Sequence, residues 1–210
     1  MKKGILFDLD GTLWDSSANV IKAWNKCIAE QSELGLVFTQ EQMRSYMGKT
    51  LDQIADIMFP MLTKDDRMTL IRKCTAEENA YLSDHPSYIF PREKEIMEAL
   101  HKEYSLAVVS NCQDGYIEIF LEQCGFKELF DDYECPGRTG LDKAGNIQLV
   151  AERNGLDKCV YVGDTAMDGE AARIAGVPFI HAGYGFGSPE DFDAQITDIS
   201  ELPDAVKKII

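Results

Sequence analysis

The sequence predicts an α/β protein with a parallel β-sheet and one long stretch made only of helices. Three observations support this fold class. From residue 92 onward, short apolar strands alternate with amphipathic helices, as in βαβ units. The chain also opens with a strand, at residues 4–7, that is apolar on both faces, as strands of parallel sheets are. Between these parts, residues 16–86 show helical periodicity and no convincing strand.

The composition fits one large domain or a domain that carries a smaller insert. Of the 210 residues, 45% are hydrophobic and 27% are charged, which are globular values. The formal net charge of −15, from 36 acidic against 21 basic residues, argues against nucleic-acid and anionic-membrane partners, because both need a basic surface. We therefore expect no nucleic acid and no membrane partner, and the oligomeric state is left open between monomer and homodimer.

Cysteine usage and the first residues predict a cytoplasmic protein. The six cysteines are scattered without a Cys-x-x-Cys pair, which argues against a zinc site and a dense disulfide scaffold. The apolar run that follows Lys3 is broken at Asp8 and is too brief for a signal peptide. No apolar stretch approaches the roughly 20 residues that a membrane span needs.

Residues 16–86 divide into four predicted helices. Each starts at a hydroxyl side chain that can accept a hydrogen bond from the first turn. These residues are Ser16 or Ser17, Thr39, Thr50 and Thr63. We interpret the apolar faces of these helices as core packing. Near the turn at Gly48, Arg44 and Lys49 are candidate contacts to an anionic substrate, and the alternative for each is ordinary solvated charge.

In the second part of the chain, helices are predicted at 93–103, 116–124, 147–153 and 168–175. The strands between them are predicted at 106–109, 133–135, 159–162 and 177–182, and a last strand and helix at 196–210. The glycine-rich run at 183–187 is interpreted as a loop near the site. It is not read as a dinucleotide motif, because too little chain follows for the required βαβ unit.

Two carboxylates follow the first strand directly. Asp8 and Asp10 are two residues apart, so in extended backbone their side chains point the same way. The carboxyl ends of strands in open α/β sheets are where ligands bind. Two like charges aimed at one point require a metal ion, a proton or a cationic substrate. The alternative is a pair of ordinary polar residues before the turn at Gly11.

Three later segments, which contain five candidate residues, share this geometry or lie beside it. Ser110 and Asn111 follow the strand at 106–109, where a hydroxyl and backbone amides suit phosphate oxygens, although serine at a strand end is often only a turn former. Asp164 follows the strand at 159–162, and hard oxygen ligands at such an edge suit magnesium. Asp168, at a helix start, can also be a simple cap. Lys143 precedes a helix and can offset negative charge.

In this order the motifs resemble those of the haloacid dehalogenase-like phosphohydrolases. The matching segments are Asp8-Leu9-Asp10-Gly11-Thr12, a helical insert, Ser110-Asn111, Lys143, and Gly163-Asp164-Thr165 with Asp168. The sequence is most similar to phosphoglycolate-phosphatase-like members. The resemblance implies a Rossmann-like parallel-sheet core formed by residues 1–15 and 87–210, and an inserted helical cap domain formed by residues 16–86. Lys143 lacks the prolines that commonly follow this lysine, and Cys112 stands where many relatives have a polar or basic residue.

The resemblance further implies a Mg²⁺-dependent phosphatase that hydrolyses a small phosphate monoester through an aspartyl-phosphate. The implied catalytic residues are Asp8 as nucleophile, Asp10 as acid and base, Ser110 and Lys143. The implied Mg²⁺ ligands are Asp8, Asp10 through its carbonyl, and Asp164, with Asp168 supporting the metal shell or Lys143. The implied phosphate-binding residues are Ser110, Asn111 and Lys143.

Two other functions are left open by the sequence. A sugar phosphomutase uses the same groups to return phosphate to a sugar. A noncatalytic phosphate- or metal-binding module is disfavoured, because binding alone requires neither a nucleophile nor an acid. A dehalogenase is also disfavoured, since displacing halide needs no proton donor such as Asp10.

Overall fold

The computed structural model describes residues 1–210 and has eight strands and ten α-helices. The strands are β1 (Lys3–Phe7), β2 (Trp14–Asp15), β3 (Tyr88–Ile89), β4 (Ser105–Val109), β5 (Asp132–Glu134), β6 (Lys158–Gly163), β7 (Phe179–Ala182) and β8 (Ala194–Ile196). The helices are α1 (Ser17–Gln31), α2 (Gln40–Tyr46), α3 (Leu51–Met58), α4 (Lys64–Asp84), α5 (Glu93–Leu100), α6 (Tyr116–Cys124), α7 (Pro136–Thr139), α8 (Lys143–Arg153), α9 (Ala166–Ala175) and α10 (Leu202–Ile209).

Six of the strands form one parallel sheet in the order β5-β4-β1-β6-β7-β8. Strand β1 lies in the middle, with Ile5 opposite Leu106 of β4 and Val160 of β6. Strands β4 and β5 lie on one side of β1, and strands β6, β7 and β8, which follow them in the chain, lie on the other side. In open α/β sheets, ligands bind where the strand order reverses in this way. The α/β fold class expected from the sequence is confirmed.

The four helices α1 to α4 follow one another between β2 and β3 with no strand among them. The predicted helix start at Thr39 is confirmed, where Thr39 and Gln42 form a capping box, and Thr63 caps α4 by accepting a hydrogen bond from the backbone amide of Asp66. Strands β2 and β3 pair antiparallel at the two ends of this helical segment. The sequence predicts neither strand, because two residues are too few to show an alternating pattern.

The core is built on both faces of the sheet. One apolar cluster of 44 buried residues joins the helical segment to one face of the sheet, and a second of 11 buried residues covers the other face against α8 and α9. Trp14 of β2 packs edge-to-face on Tyr116 and Phe120 of α6, at ring centroid distances of 5.4 and 5.3 Å. Aromatic packing of this kind fixes the position of the chain just after the predicted nucleophile loop. None of the helices has the length and hydropathy that crossing a membrane requires.

One buried carboxyl group outside the site makes folding stability depend on pH. Glu93 at the start of α5 is buried; its Oε2 accepts a hydrogen bond from the Phe90 amide at 3.1 Å, whereas its Oε1 has no partner. Burial raises the pKa of Glu93 to about 9. The folded protein therefore holds a proton on Glu93 that the unfolded chain loses above its ordinary pKa of about 4.3.

We expect the free energy of unfolding to fall as pH rises from about 5 to about 9, because over this range the folded state binds more protons than the unfolded state. Glu93→Gln removes that dependence, so it should raise Tm more at pH 8.5 than at pH 5.5, by several degrees at roughly 2–4 °C per kcal/mol. Thermal unfolding at both pH values measures this, with the exposed Glu98→Gln on the same helix as control. An equal Tm change at both pH values would contradict the assignment.

Candidate active site

Three side chains that are far apart in the sequence meet at the carboxyl edge of the sheet. Lys143, the first residue of α8, donates from Nζ to Asp8 Oδ1 at 2.8 Å and to Asp168 Oδ1 at 2.6 Å. All three side chains are buried, with exposed fractions of 4%, 0% and 0%. Asp8 directly follows β1, and Asp168 lies in the first turn of α9. A buried ammonium between two buried carboxylates is held in one orientation, because each group lacks water as an alternative partner.

Asp164 completes a compact group of carboxylates. One carboxylate oxygen each from Asp8, Asp164 and Asp168 lie within 4.8 Å of one another. Oxygen Oδ2 of Asp8 and oxygen Oδ1 of Asp164 are buried and have no hydrogen-bond partner. Both oxygens of Asp168 are occupied, Oδ1 by Lys143 and Oδ2 by the backbone amide and hydroxyl of Thr165. The two oxygens open to a ligand therefore belong to Asp8 and Asp164.

The clustered carboxyl groups of Asp8, Asp164 and Asp168 repel one another, so a bound cation would stabilise their ionised forms. Burial raises the pKa of Asp164 well above its usual range, and the charges of Asp168 and Asp8 raise it further. Burial and Asp168 likewise raise the pKa of Asp8, whereas Lys143 lowers it. Burial alone would lower the pKa of Lys143, but Asp168 and Asp8 raise it. Unpartnered carboxylate oxygens in a buried, acidic site are the donor set that Mg²⁺ prefers, so the residues present fit this ion.

The glycine-rich loop at 183–187 packs against Asp164, in agreement with its predicted place near the site. The backbone amide of Phe186 donates to Asp164 Oδ2 at 2.6 Å. A Cβ atom at Gly185 would overlap the Asp164 side chain and the carbonyl oxygen of Gly11. Gly11 itself has a φ of +82°, which residues with a side chain rarely adopt. Close approach of backbone to the carboxylates thus requires glycine at both positions.

The side chain of Asp10 lies outside the carboxylate group and has its own set of donors. Its Oδ1 accepts hydrogen bonds from Trp14 Nε1 at 3.1 Å, Ser16 Oγ at 2.9 Å and Tyr116 OH at 2.8 Å. Burial raises the pKa of Asp10 to about 6, although the bonds from Tyr116, Ser16 and Trp14 lower it. A carboxyl group with a pKa near neutrality can both give and take a proton at physiological pH.

Ser110 and Asn111 lie at the end of β4, as the sequence predicts. The backbone amide of Ser110 donates to the Glu134 carbonyl oxygen at 3.2 Å, so the hydroxyl is the group that Ser110 offers to a ligand. Asn111 Nδ2 donates to the Gly48 carbonyl oxygen at 2.9 Å, and Asn111 Oδ1 is buried without a partner. This contact joins the sheet edge to the helical segment.

The two basic side chains proposed as substrate contacts have different surroundings. Arg44 forms an ion pair with Asp15 at 2.5 Å, and its guanidinium carbon lies 5.8 Å from the centre of the Phe186 ring. Lys49 lines the same small cavity as Asp10, and its Nζ donates to the Ser45 carbonyl oxygen at 2.6 Å. Lys49 therefore lies beside Asp10, whereas Arg44 is already paired with the carboxylate of Asp15.

Sequence reasoning misses the residues that orient Asp10 and one buried acid. Trp14 and Ser16 lie four and six positions after Asp10, and this proximity is a local signal that could have identified them. Tyr116 is 106 residues from Asp10, and no local pattern predicts its contact. The same is true of Glu78 in α4, which lines the cavity beside Asp10.

Comparison with known proteins defines the class. The family model of the haloacid dehalogenase-like hydrolases matches residues 5–182. A phosphoglycolate phosphatase of Aliivibrio fischeri is 28% identical over 209 residues, which cover 94% of this chain and 91% of that protein. One from Xanthomonas campestris pv. campestris is 27% identical over 214 residues, covering 96% and 93%.

Solved structures share the fold. A predicted phosphoglycolate phosphatase from Haemophilus somnus 129pt has a TM-score of 0.82 at 23% identity, over 98% of each chain. A haloacid dehalogenase-like family hydrolase from Streptococcus pneumoniae has a TM-score of 0.83 at 22% identity, also over 98% of each chain. The chain belongs to the haloacid dehalogenase-like hydrolases. Within that family its curated relatives are phosphatases, and the enzyme class expected from the sequence, a phosphatase, is confirmed.

Proposed function

We propose that the protein is a Mg²⁺-dependent phosphatase that hydrolyses a small phosphate monoester through an aspartyl-phosphate on Asp8. The observation that carries this proposal is the state of the Asp8 carboxylate. One of its oxygens is held by Lys143, the other is buried without a partner, and an oxygen of Asp8 lies within 4.8 Å of an oxygen of Asp164. The contact with Lys143 orients the carboxylate, and its second oxygen remains free to attack, as a nucleophile requires. The phosphoglycolate phosphatases among the relatives make small esters the first candidates.

The reaction has two steps at phosphorus. An oxygen of Asp8 forms a bond to phosphorus while the bond from phosphorus to the ester oxygen breaks, and Asp10 gives its proton to the departing alcohol. Water then attacks phosphorus and gives a proton to Asp10, the bond between phosphorus and the Asp8 oxygen breaks, and inorganic phosphate leaves with the Asp8 carboxylate restored. The pKa of Asp10, raised to about 6 by burial, supports both proton transfers.

Asp8, Asp164 and the backbone carbonyl of Asp10 would hold the Mg²⁺ ion. When bound, the ion supplies positive charge that offsets the repulsion between an anionic nucleophile and an anionic ester. Lys143 adds a second positive charge, and its orientation depends on Asp168. The Ser110 hydroxyl and Asn111 would bind oxygens of the phosphoryl group.

In this proposal residues 1–15 and 87–210 form the catalytic core and residues 16–86 form its cap. The hydrogen bond between Asn111 and Gly48 supports this position of the cap, since it joins a proposed phosphate-binding residue to the helical segment. A cap in this place would exclude bulk water from the aspartyl-phosphate and contact the leaving group.

Phosphate release from a panel of esters, including p-nitrophenyl phosphate and phosphoglycolate, tests the proposal. We expect phosphate release with Mg²⁺. Chelation with EDTA should lower the rate at least about 100-fold, because the carboxylate group then lacks its balancing charge, and adding Mg²⁺ back should restore the rate. Asp164→Asn should not recover, whereas the exposed Asp191→Asn should behave as wild type. No metal-dependent release from any ester, or conversion of a sugar phosphate into an isomer without release, would contradict it.

A further inference from the structure

A small cavity beside Asp10 is lined mostly by apolar side chains and by a few polar groups that can accept hydrogen bonds. It has a volume of about 40 Å³ and lies between the helical segment and the sheet edge. Its polar lining residues are Asp10, Lys49, Glu78, Asn111 and Gln113. Because Asp10 protonates the ester oxygen in the proposed reaction, the cavity lies on the side of the leaving group. Its volume suits a group of only a few atoms.

Glu78 contributes a buried carboxyl group that the proposed reaction does not use. Its side chain is 4% exposed; Oε2 accepts a hydrogen bond from Trp24 Nε1, and Oε1 accepts one from Gln113 Nε2 at 3.0 Å. Both donors are uncharged, so no cation compensates Glu78. Burial raises its pKa to about 8, and the nearby charge of Asp10 contributes. Each oxygen still has a lone pair for a further donor.

Asn111 adds another acceptor to the same cavity. Its amide nitrogen must face the Gly48 carbonyl oxygen, to which it donates at 2.9 Å, because a carbonyl can only accept. The opposite atom, Oδ1, is buried and has no donor. The only cation of the lining, Lys49, already donates to the Ser45 carbonyl oxygen. Asn111 Oδ1 is therefore an acceptor in the cavity that a donor on the leaving group would satisfy.

We propose that Glu78 is a specificity-determining residue that selects phosphate esters of small alcohols carrying a second hydrogen-bond donor, a hydroxyl or an ammonium group. This inference rests on the proposed phosphatase function and narrows its substrate class. A hydroxyl or ammonium group satisfies Glu78 and Asn111. A leaving group with a carboxylate, as in phosphoglycolate, instead brings a negative charge into a buried space whose one cation, Lys49, already donates to a backbone carbonyl, and burying a charge without a counter-charge suppresses binding.

Four esters of nearly equal size separate the chemistry: 2-hydroxyethyl phosphate, phosphoethanolamine, phosphoglycolate and ethyl phosphate. Their kcat/KM values are measured with Mg²⁺ on wild type and Glu78→Gln. For wild type we expect kcat/KM of the better of the two donor esters to exceed that of phosphoglycolate at least tenfold. A site built to hydrogen-bond a hydroxyl or ammonium group strongly disfavours substrates that lack this group. Glu78→Gln should shrink this ratio about tenfold through KM. A loss confined to phosphoethanolamine identifies an ammonium group, and an equal loss for both donor esters identifies a hydroxyl.

The control is Glu77→Gln, which makes the same change on the same helix at a residue paired with Lys26 on the surface. It should leave all four values unchanged. A wild-type preference for phosphoglycolate, or an equal effect of Glu78→Gln on all four esters, would overturn the proposal and leave Glu78 a purely structural role. Cleavage of p-nitrophenyl phosphate without cleavage of either donor ester would overturn it while the phosphatase function stands. Cleavage of no ester at all would overturn both.

Discussion

Asp8→Asn should lower kcat for phosphate release at least about 10³-fold, the largest effect expected of any single substitution. An amide cannot form the aspartyl-phosphate, and it also breaks the ion pair with Lys143. The measurement is steady-state release of phosphate from p-nitrophenyl phosphate at saturating Mg²⁺. Intact mass after acid quenching should show a phosphorylated chain for wild type during turnover and none for the variant. Turnover by Asp8→Asn within tenfold of wild type would contradict the assignment of the nucleophile.

Asp10→Asn provides the matched control, because it changes the neighbouring carboxylate in the same way. Its loss should depend on the leaving group. Alkyl esters depart as strongly basic alkoxides and need a proton from Asp10, whereas p-nitrophenolate departs without one. We therefore expect Asp10→Asn to lose about ten times more activity on alkyl phosphates than on p-nitrophenyl phosphate, and Asp8→Asn to lose activity equally on both. The same loss on both esters for Asp10→Asn would argue against its role as acid.

Lys143→Met should reduce both activity and stability. The substitution leaves Asp8 and Asp168 buried without their shared cation, and breaking a buried ion pair in this way costs about 3–5 kcal/mol. We expect Tm to fall by roughly 6–20 °C, on the basis of about 2–4 °C per kcal/mol, and kcat to fall about 10²- to 10³-fold. Thermal unfolding and phosphate release measure the two effects. Lys127→Met is the control, since Lys127 pairs with Glu122 on the surface and such pairs contribute at most about 1 kcal/mol.

The double variant Lys143→Met/Asp168→Asn separates the two effects. Removing one of the stranded carboxylates should restore part of the lost stability, because less buried charge is left uncompensated. Activity should stay low, because the positive charge beside Asp8 is still missing. Recovery of activity in the double variant, or no recovery of stability, would mean that Lys143 acts differently from the proposed ion-pair network.

Local patterns in the sequence were sufficient for the elements that are stabilised locally or buried completely. Strands β1, β4 and β6 are apolar on both faces because helices cover both sides of the sheet, so they are recognised as short apolar runs. The capping box of Thr39 and Gln42 can likewise be recognised from the sequence, because its two hydrogen bonds join residues three positions apart. Strands β2 and β3 have no such signal, since they pair across the whole helical segment.

The sequence by itself also predicted where Asp8, Ser110 and Asp164 lie, because the carboxyl ends of parallel strands share one edge. Only the tertiary structure decided how these side chains differ. Asp8 and Asp164 retain open oxygens, whereas Asp10 is surrounded by Trp14, Ser16 and Tyr116. The closure of the helical segment over Asp10, which places Glu78 there, was decided in the same way. The physical reason is that burial and hydrogen bonds between distant residues set the charge and orientation of each carboxyl group, and these depend on packing that no local pattern contains.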